Sequence, residues 1–399
     1  MNFRPNNYKL PVNAYAKFWV RYSFSCCLFF ILLVTSSCDF LFENKSKTEV
    51  VEEYHLKAYS KKLKSRFSQF PNDVFSGQID ADYLFARLYD HGLPKSLTDF
   101  TLKAELNDAL YQITHHFGQT MIAGYSGQVK LAPESGKITY RVYDDDGINY
   151  YEFLIIKKDG KTRIGDIYVF SRGEYLSEIL AKYYLQNVAE SNLISKIYSE
   201  EKAEIESRMM FARSRMKLGL YNRAKELLDE IREVYYDDKT WHLLNIECAI
   251  NLDSTTYMEA IMGFAKSYDD DPSWLLMGID YYFIIQDWEA ALNHLDDLRE
   301  RVGVDPILFL YESNIYRSMG DFASALKALN IGIRSMPEFE NFYNAKYLIQ
   351  GRLGDYDGLS STLDLMYEKF DVGVREIDFS LFPDFQNTDH YKNLLKRQS

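Results

Sequence analysis

The feature that most constrains this chain is a short pattern, Gly-x-aromatic-x-x-Ala, that returns at a nearly constant interval through its second half. It stands unbroken in Gly219-Leu220-Tyr221-Asn222-Arg223-Ala224 and in Gly320-Asp321-Phe322-Ala323-Ser324-Ala325. Altered copies are Tyr257-Met258-Glu259-Ala260, Trp288-Glu289-Ala290-Ala291 and Gly354-Asp355-Tyr356-Asp357-Gly358-Leu359. The aromatic positions 221, 257, 288, 322 and 356 lie 36, 31, 34 and 34 residues apart. Self-similarity at such a period marks stacked supersecondary units, each too small to bury its own apolar face. The residue types suggest what the unit is. Glycine permits the tight turn that ends one helix, the aromatic residue opens the next helix and packs back on the first, and alanine lets the two approach closely. Pro272, Pro306 and Pro337 fall where a second helix should stop or a new unit begin.

This pattern resembles the tetratricopeptide repeat (TPR), whose period is about 34 residues. The resemblance implies an all-α, TPR-like solenoid of about five helix pairs over residues 201–372, with 373–399 as a tail or capping segment. It also implies that the first helices line a concave face that takes a protein or an extended peptide. Carried onto matching positions, that groove holds Met209, Arg213, Asn245, Ala249, Leu310, Asn314, Arg317, Asn344 and Leu348. Asparagine suits such a role because it pairs with backbone amides, and arginine because it forks onto a carboxylate. Two units depart from the pattern: the turn Leu252-Asp253-Ser254-Thr255-Thr256 lacks the glycine, and Leu359 replaces the alanine.

Residues 61–200 read as a separate α+β module. Helical spacing runs through Ala104, Leu106, Ala109, Leu110, Ile113 and Phe117, then the period changes to that of strands. Asp146-Gly147 and Asp159-Gly160 separate three β-rich runs (138–143, 150–156 and 162–170), and Asp-Gly supplies the positive φ angles of a tight hairpin. Helical spacing resumes after Gly173 with Leu176, Ile179, Leu180, Tyr183 and Tyr184. Helices on a curved antiparallel sheet resemble the cone-shaped modules of the nuclear-transport-factor-2-like superfamily, which implies a pocket. The groups suggestive of chemistry there are His115-His116, Asp166 and Tyr168. Adjacent histidines on a helix point about 100° apart and cannot share a metal as an i, i+4 pair would. Asp144-Asp145-Asp146 lacks the alternating ligands and distal glutamate of a calcium loop. The expectation is therefore no catalytic, cofactor or metal site, and a chain that is not an enzyme.

At the other end, residues 1–37 carry Arg4, Lys9, Lys17 and Arg21 with no acidic residue, and Tyr22 to Val34 form an apolar run of 13 residues. That is the order of a secretory signal peptide, and the run is too short to span a bilayer. Leu33-Val34-Thr35-Ser36-Ser37-Cys38 resembles the lipobox of bacterial lipoproteins, with Thr35 where the stricter form has leucine. The resemblance implies acylation of Cys38, which becomes the new N-terminus, with 38–60 as lipidated cysteine and tether. It places the protein in the cell envelope as a lipid-anchored protein and leaves inner or outer membrane open.

Without residues 1–37, 42 basic residues stand against 58 acidic ones. A body so acidic repels phosphate backbones and anionic lipid surfaces, so nucleic acid is not expected as a partner and membrane attachment requires the dedicated anchor at Cys38. Cys26, Cys27 and Cys38 precede the folded body and Cys248 stands alone within it, which excludes an internal disulfide framework. Three functions compete: a scaffolding adaptor lipoprotein acting through a protein-binding groove, a glycan or nutrient-uptake lipoprotein, and an enzyme or small-ligand binder using the middle pocket. The repeats and the lack of a catalytic constellation favour the first.

Overall fold

The computed structural model describes residues 51–69, 74–75, 77–91, 93, 108, 110–112, 114–115, 130–132, 136–144, 147–190 and 200–398. The signal segment 1–37, Cys38, most of the tether, His116 and Asp145-Asp146 lie outside the described residues. The chain divides into two compact units between Met277 and Gly278.

The first unit opens with helix α1 (Glu53–Gln69) and helix α2 (Ala81–Asp90). Helix α1 begins inside the stretch assigned to the tether. The reason is a stripe at helical spacing, Leu56, Tyr59 and Leu63, which is buried although lysines surround it in sequence. An antiparallel sheet follows with its strands in chain order: β1 (Lys130–Ala132), β2 (Lys137–Asp144), β3 (Gly147–Lys158), β4 (Lys161–Val169) and β5 (Glu174–Tyr175). Three of these five strands are the expected ones, and the additional pair are short edge strands. Asp159 and Gly160 have φ of 52° and 70°, so both supply the left-handed backbone that a two-residue hairpin between β3 and β4 requires. Helix α3 (Leu176–Glu190) closes the module. Its Leu176 and Leu180 join Leu56 and Leu63 of α1, Leu84 and Leu88 of α2, and Ile138, Phe153, Ile164 and Ile167 of the sheet in one core.

The repeats begin in this same unit with α4 (Glu200–Lys217) and α5 (Tyr221–Glu230), a single turn α6 (Arg232–Tyr235), then α7 (Lys239–Ala249) and α8 (Ser254–Tyr268). Further pairs are α9 (Trp274–Ile284) with α10 (Trp288–Val302), α11 (Leu308–Met319) with α12 (Phe322–Ser335), and α13 (Glu340–Leu353) with α14 (Tyr356–Phe370). Each of the last three pairs is joined by the same device, a residue with positive φ followed by an aspartate N-cap. Gln286 (φ 59°) precedes Asp287, which accepts from the Ala290 N–H at 3.1 Å. Gly320 (φ 82°) precedes Asp321, which accepts from Ser324 N–H at 3.0 Å, and Gly354 (φ 70°) precedes Asp355, which accepts from Gly358 N–H at 3.0 Å. The cap satisfies a donor that the first helical turn leaves unpaired. The glycine-free second turn compensates with Asp253, which accepts from both Thr255 and Thr256 N–H at 2.9 Å.

The small position of the repeat is buried throughout: Ala224, Ala291 and Ala325 are wholly covered, Ala260 nearly so, and Leu359 fills the same place in the last pair. In the second unit, Gly332 of α12 faces the Phe342 ring of α13 so closely that a Cβ there would lie 2.5 Å from it. Residues 373–398 pack against the last helix pair. Phe379, Phe382 and Phe385, from two 3-10 turns and their flanks, and Leu394 of α15 (Asp389–Arg397) are buried. Phe382 covers Gly351 of α13, where a Cβ would lie 2.6 Å from the ring. Gln398 accepts from Val374 N–H at 2.8 Å, and Arg397 pairs with Asp364 at 2.7 Å. No described helix is long and apolar enough to cross a membrane.

Candidate interaction surface

Three of the expected groove residues, Met209, Asn245 and Ala249, are interior. Met209 is only 4% exposed, in a core with Ala212, Met216, Ala224, Leu228 and Trp241. Positions 209, 212 and 216 share one face of α4, and the first unit uses that face for packing. Asn245 is 7% exposed, and its Oδ1 has no hydrogen-bond partner among the described residues; Ala249 on the next turn is wholly buried. Cys248 is buried as expected, and burial pushes its thiol up to about 12, which keeps it unreactive.

Arg213 has a different employment. The start of the second pair's first helix, α7, is joined to the chain's own sheet module by charged contacts, and Arg213 of α4 acts on the same cluster electrostatically. Lys239 at the start of α7 donates to the Gly173 carbonyl and pairs with Asp271. The other oxygen of Asp271 accepts from Tyr168 Oη of β4 at 2.8 Å and from Ser273 Oγ at 2.6 Å. Lys182 of α3 donates to Glu174 at 2.6 Å, to Glu178 at 2.9 Å and to Thr240 Oγ1 of α7 at 2.6 Å. Arg213 of α4 adds positive potential to this cluster. Burial pushes the Glu174 carboxyl up, yet Lys182, Arg172 and Arg213 hold it below the ordinary range. Burial raises the Glu247 carboxyl of α7 against the pull of Arg172 and Arg213. These residues clasp module to repeats.

The groups that suggested chemistry in the module have separate partners. Asp166 is fully buried and saturated: it pairs with Arg87 Nε at 2.6 Å and accepts from Ser177 Oγ at 2.6 Å, Ile167 N–H at 2.8 Å and Ser177 N–H at 3.1 Å. Burial raises its carboxyl, partly offset by Ser177 and Arg87. Tyr168 belongs to the clasp. His115 stacks on Tyr111 with ring centroids 5.9 Å apart. Among the described residues no group of three His, Cys, Asp or Glu side chains is placed to hold a metal ion.

The remaining expected residues share one neighbourhood of the second unit. Helices α11 and α13 are in contact. Asn314 and Arg317 of α11 and Asn344 and Leu348 of α13 are all half-exposed, as is Leu310. Asn344 donates to Glu340 at 3.1 Å. The side chains of Asn314 and Arg317 make no hydrogen bond or ion pair among the described residues, so an amide and a guanidinium stand ready for a ligand. Arg299 of α10, by contrast, is committed: it pairs with Glu312 of α11 and with Asp296 at 2.7 Å, and lies 5.1 Å over the Phe309 ring. The sequence signals neither that bridge nor the Lys239–Asp271 pair, because both join residues remote in the chain.

These features define a class: an α+β module followed by TPR-like helix pairs, with a half-exposed polar face on the later pairs. No protein-family model matches the chain, and no curated protein matches it. Among solved structures, the crystal structure of yeast Tom70 is similar at 15% identity over 86% of this chain and 74% of that one, with a TM-score of 0.35.

Proposed function

We propose that the chain is a protein-interaction adaptor of the cell envelope, tethered by acylated Cys38, that receives an extended protein segment on the α11–α13 face. The observation that carries this reading is a contrast between first helices. The start of α7 is engaged by the chain's own module, whereas the side chains of Asn314 and Arg317 on α11 make no hydrogen bond or ion pair among the described residues. A guanidinium beside amide groups recognises a backbone together with a carboxylate. The membrane arm of the reading rests on the basic start, the 13-residue apolar run and Ser36-Ser37-Cys38 in order. No chemical step belongs to this function.

Photo-crosslinkers placed at Asn314 and at Asn344 should capture one and the same protein from cell envelopes, and a crosslinker at exposed Arg334 should not. Arg317→Ala should weaken that capture. Capture of unrelated proteins from the two groove positions would refute the site. Metabolic labelling with a palmitate analogue should mark the wild type and spare Cys38→Ala; equal labelling would refute the anchor.

A further inference from the structure

The chain's acidic balance hides a segregated basic surface. From Tyr54 to Gln69, helix α1 carries Lys57, Lys61, Lys62, Lys64 and Arg66 and no acidic residue. Its buried side is Leu56, Tyr59, Ser60 and Leu63, against the sheet module. Lys57, Lys61 and Lys64 follow at i, i+4 and i+7 on a side turned roughly 120° from it, within an arc of roughly 60° and a length of about 10 Å. All three are exposed, and so is Lys62, which lies over the Tyr59 ring at 5.5 Å. Lys61 and Lys64 make no ion pair among the described residues. Arg66 stands apart, its Nε donating to the Val74 carbonyl at 2.7 Å. Tyr54, at the N-terminal end of the same side, is 61% exposed and presents an aromatic ring with a polar tip.

We infer that this face of α1 lies on anionic phospholipid headgroups and fixes how the body stands on the membrane. The inference rests on the lipid-anchor reading for its geometry. Fourteen residues separate Cys38 from Glu53, a reach of at most about 50 Å when fully extended, so an acylated Cys38 would hold α1 within that distance of the membrane. Rows of lysine next to a membrane attachment are drawn to anionic lipid, each contributing about fivefold to association at low salt. The remaining surface, strongly acidic, is pushed away by the same lipid. Attraction at α1 and repulsion elsewhere select one orientation, where an acyl anchor alone leaves the body free to tumble.

The test uses full-length protein purified from membranes and returned to phosphatidylcholine vesicles with or without phosphatidylglycerol. Acetylation of Lys61 and Lys64 by a water-soluble ester is followed by mass spectrometry, with exposed Lys327 of α12 as the internal reference. Both lysines should react at least about tenfold more slowly on anionic vesicles than on neutral ones, and recover in high salt. Ala58→Glu with Ser65→Glu, both at exposed positions flanking the stripe, should abolish the protection while keeping the reporter lysines. Flotation on neutral vesicles scores the anchor independently. Protein that floats there but shows no protection on anionic vesicles overturns the basic-face inference and leaves the anchor standing. Protection on anionic vesicles without flotation on neutral ones supports the face and overturns the anchor. Lysines that stay reactive on anionic vesicles but are shielded in native membranes point to an acidic protein and overturn the lipid assignment.

Discussion

Removing the carboxylate of Asp271 tests whether the sheet module is held to the repeats by the clasp. Asp271 accepts from Tyr168, from the hydroxyl and N–H of Ser273, and pairs with Lys239; the two charged side chains are 15% and 23% exposed. In Asp271→Ala the Lys239 ammonium keeps only the Gly173 carbonyl and the Tyr168 ring face, 5.7 Å away. Breaking a fully buried pair costs about 3–5 kcal/mol, and partial exposure brings the expected loss to about 2–3 kcal/mol. Lys239→Met combined with Asp271→Ala should lose less than the sum of the single changes, by about 1–2 kcal/mol, because the second change removes a charge already stranded. Urea unfolding gives the energies, and hydrogen exchange at Glu174, Tyr175 and Thr240 reports opening of the clasp itself. Burial pushes the Asp271 carboxyl up, but Lys239 and Ser273 hold it below its ordinary range. A depressed carboxylate contributes stability above its unfolded pKa of about 3.9 that is lost as pH falls through the folded value, so wild type and Asp271→Asn should converge below about pH 4. A loss under about 0.5 kcal/mol with unchanged exchange would refute the reasoning.

Ala325→Leu should overpack the fourth pair and cost about 1–3 kcal/mol, whereas Arg317→Ala should stay within about 0.5 kcal/mol yet weaken partner capture; thermal melts beside the crosslinking assay separate the two. His242 is buried, its Nε2 lies 2.6 Å from the Tyr236 carbonyl, and its Nδ1 has no partner, so burial lowers its pKa. The unfolded chain then takes up the proton first, and stability should fall as pH drops below about 6.5; His242→Gln should flatten that slope in melts between pH 7 and pH 5. Phe382→Ala should strip the cap from Gly351 and cost about 3–5 kcal/mol, read by denaturant unfolding, with α15 exchanging faster.

The helix pairs were legible because their signature rests on local chemistry: a residue for the turn, an aromatic at the helix start, a small residue at the crossing. The aspartate N-caps are equally local: Asp321 and Asp355 stand at the x of Gly-x-aromatic, where an aspartate can accept from the first helical turn. Hairpin geometry at Asp159-Gly160 was readable for the same reason. Groove assignment failed where facing had to be known. Met209 and Asn245 sit on helices that other elements cover on more than one side, and periodicity cannot tell a face turned to solvent from one turned to a second partner. Arg213 was lost to a module encoded some forty residues earlier, with no local trace of the encounter. The first turns of helix α1, up to residue 60, fall within the stretch read as tether, because Leu56 and Tyr59 give too short an apolar stripe to mark a helix start by themselves.

The clasp also shapes how this sequence can change over generations. Residues that pack by size tolerate drift one at a time, because a neighbour can relax around a lost methyl group. Lys239 and Asp271 do not have that freedom: a lineage that neutralises one inherits a stranded charge beside Tyr168 until it neutralises the other. Glu174, Lys182 and Arg213 are bound by the same logic across the module and the first two helix pairs. Among descendants these positions should therefore switch together or not at all, leaving a trace of paired substitution that joins residues more than thirty apart in the chain.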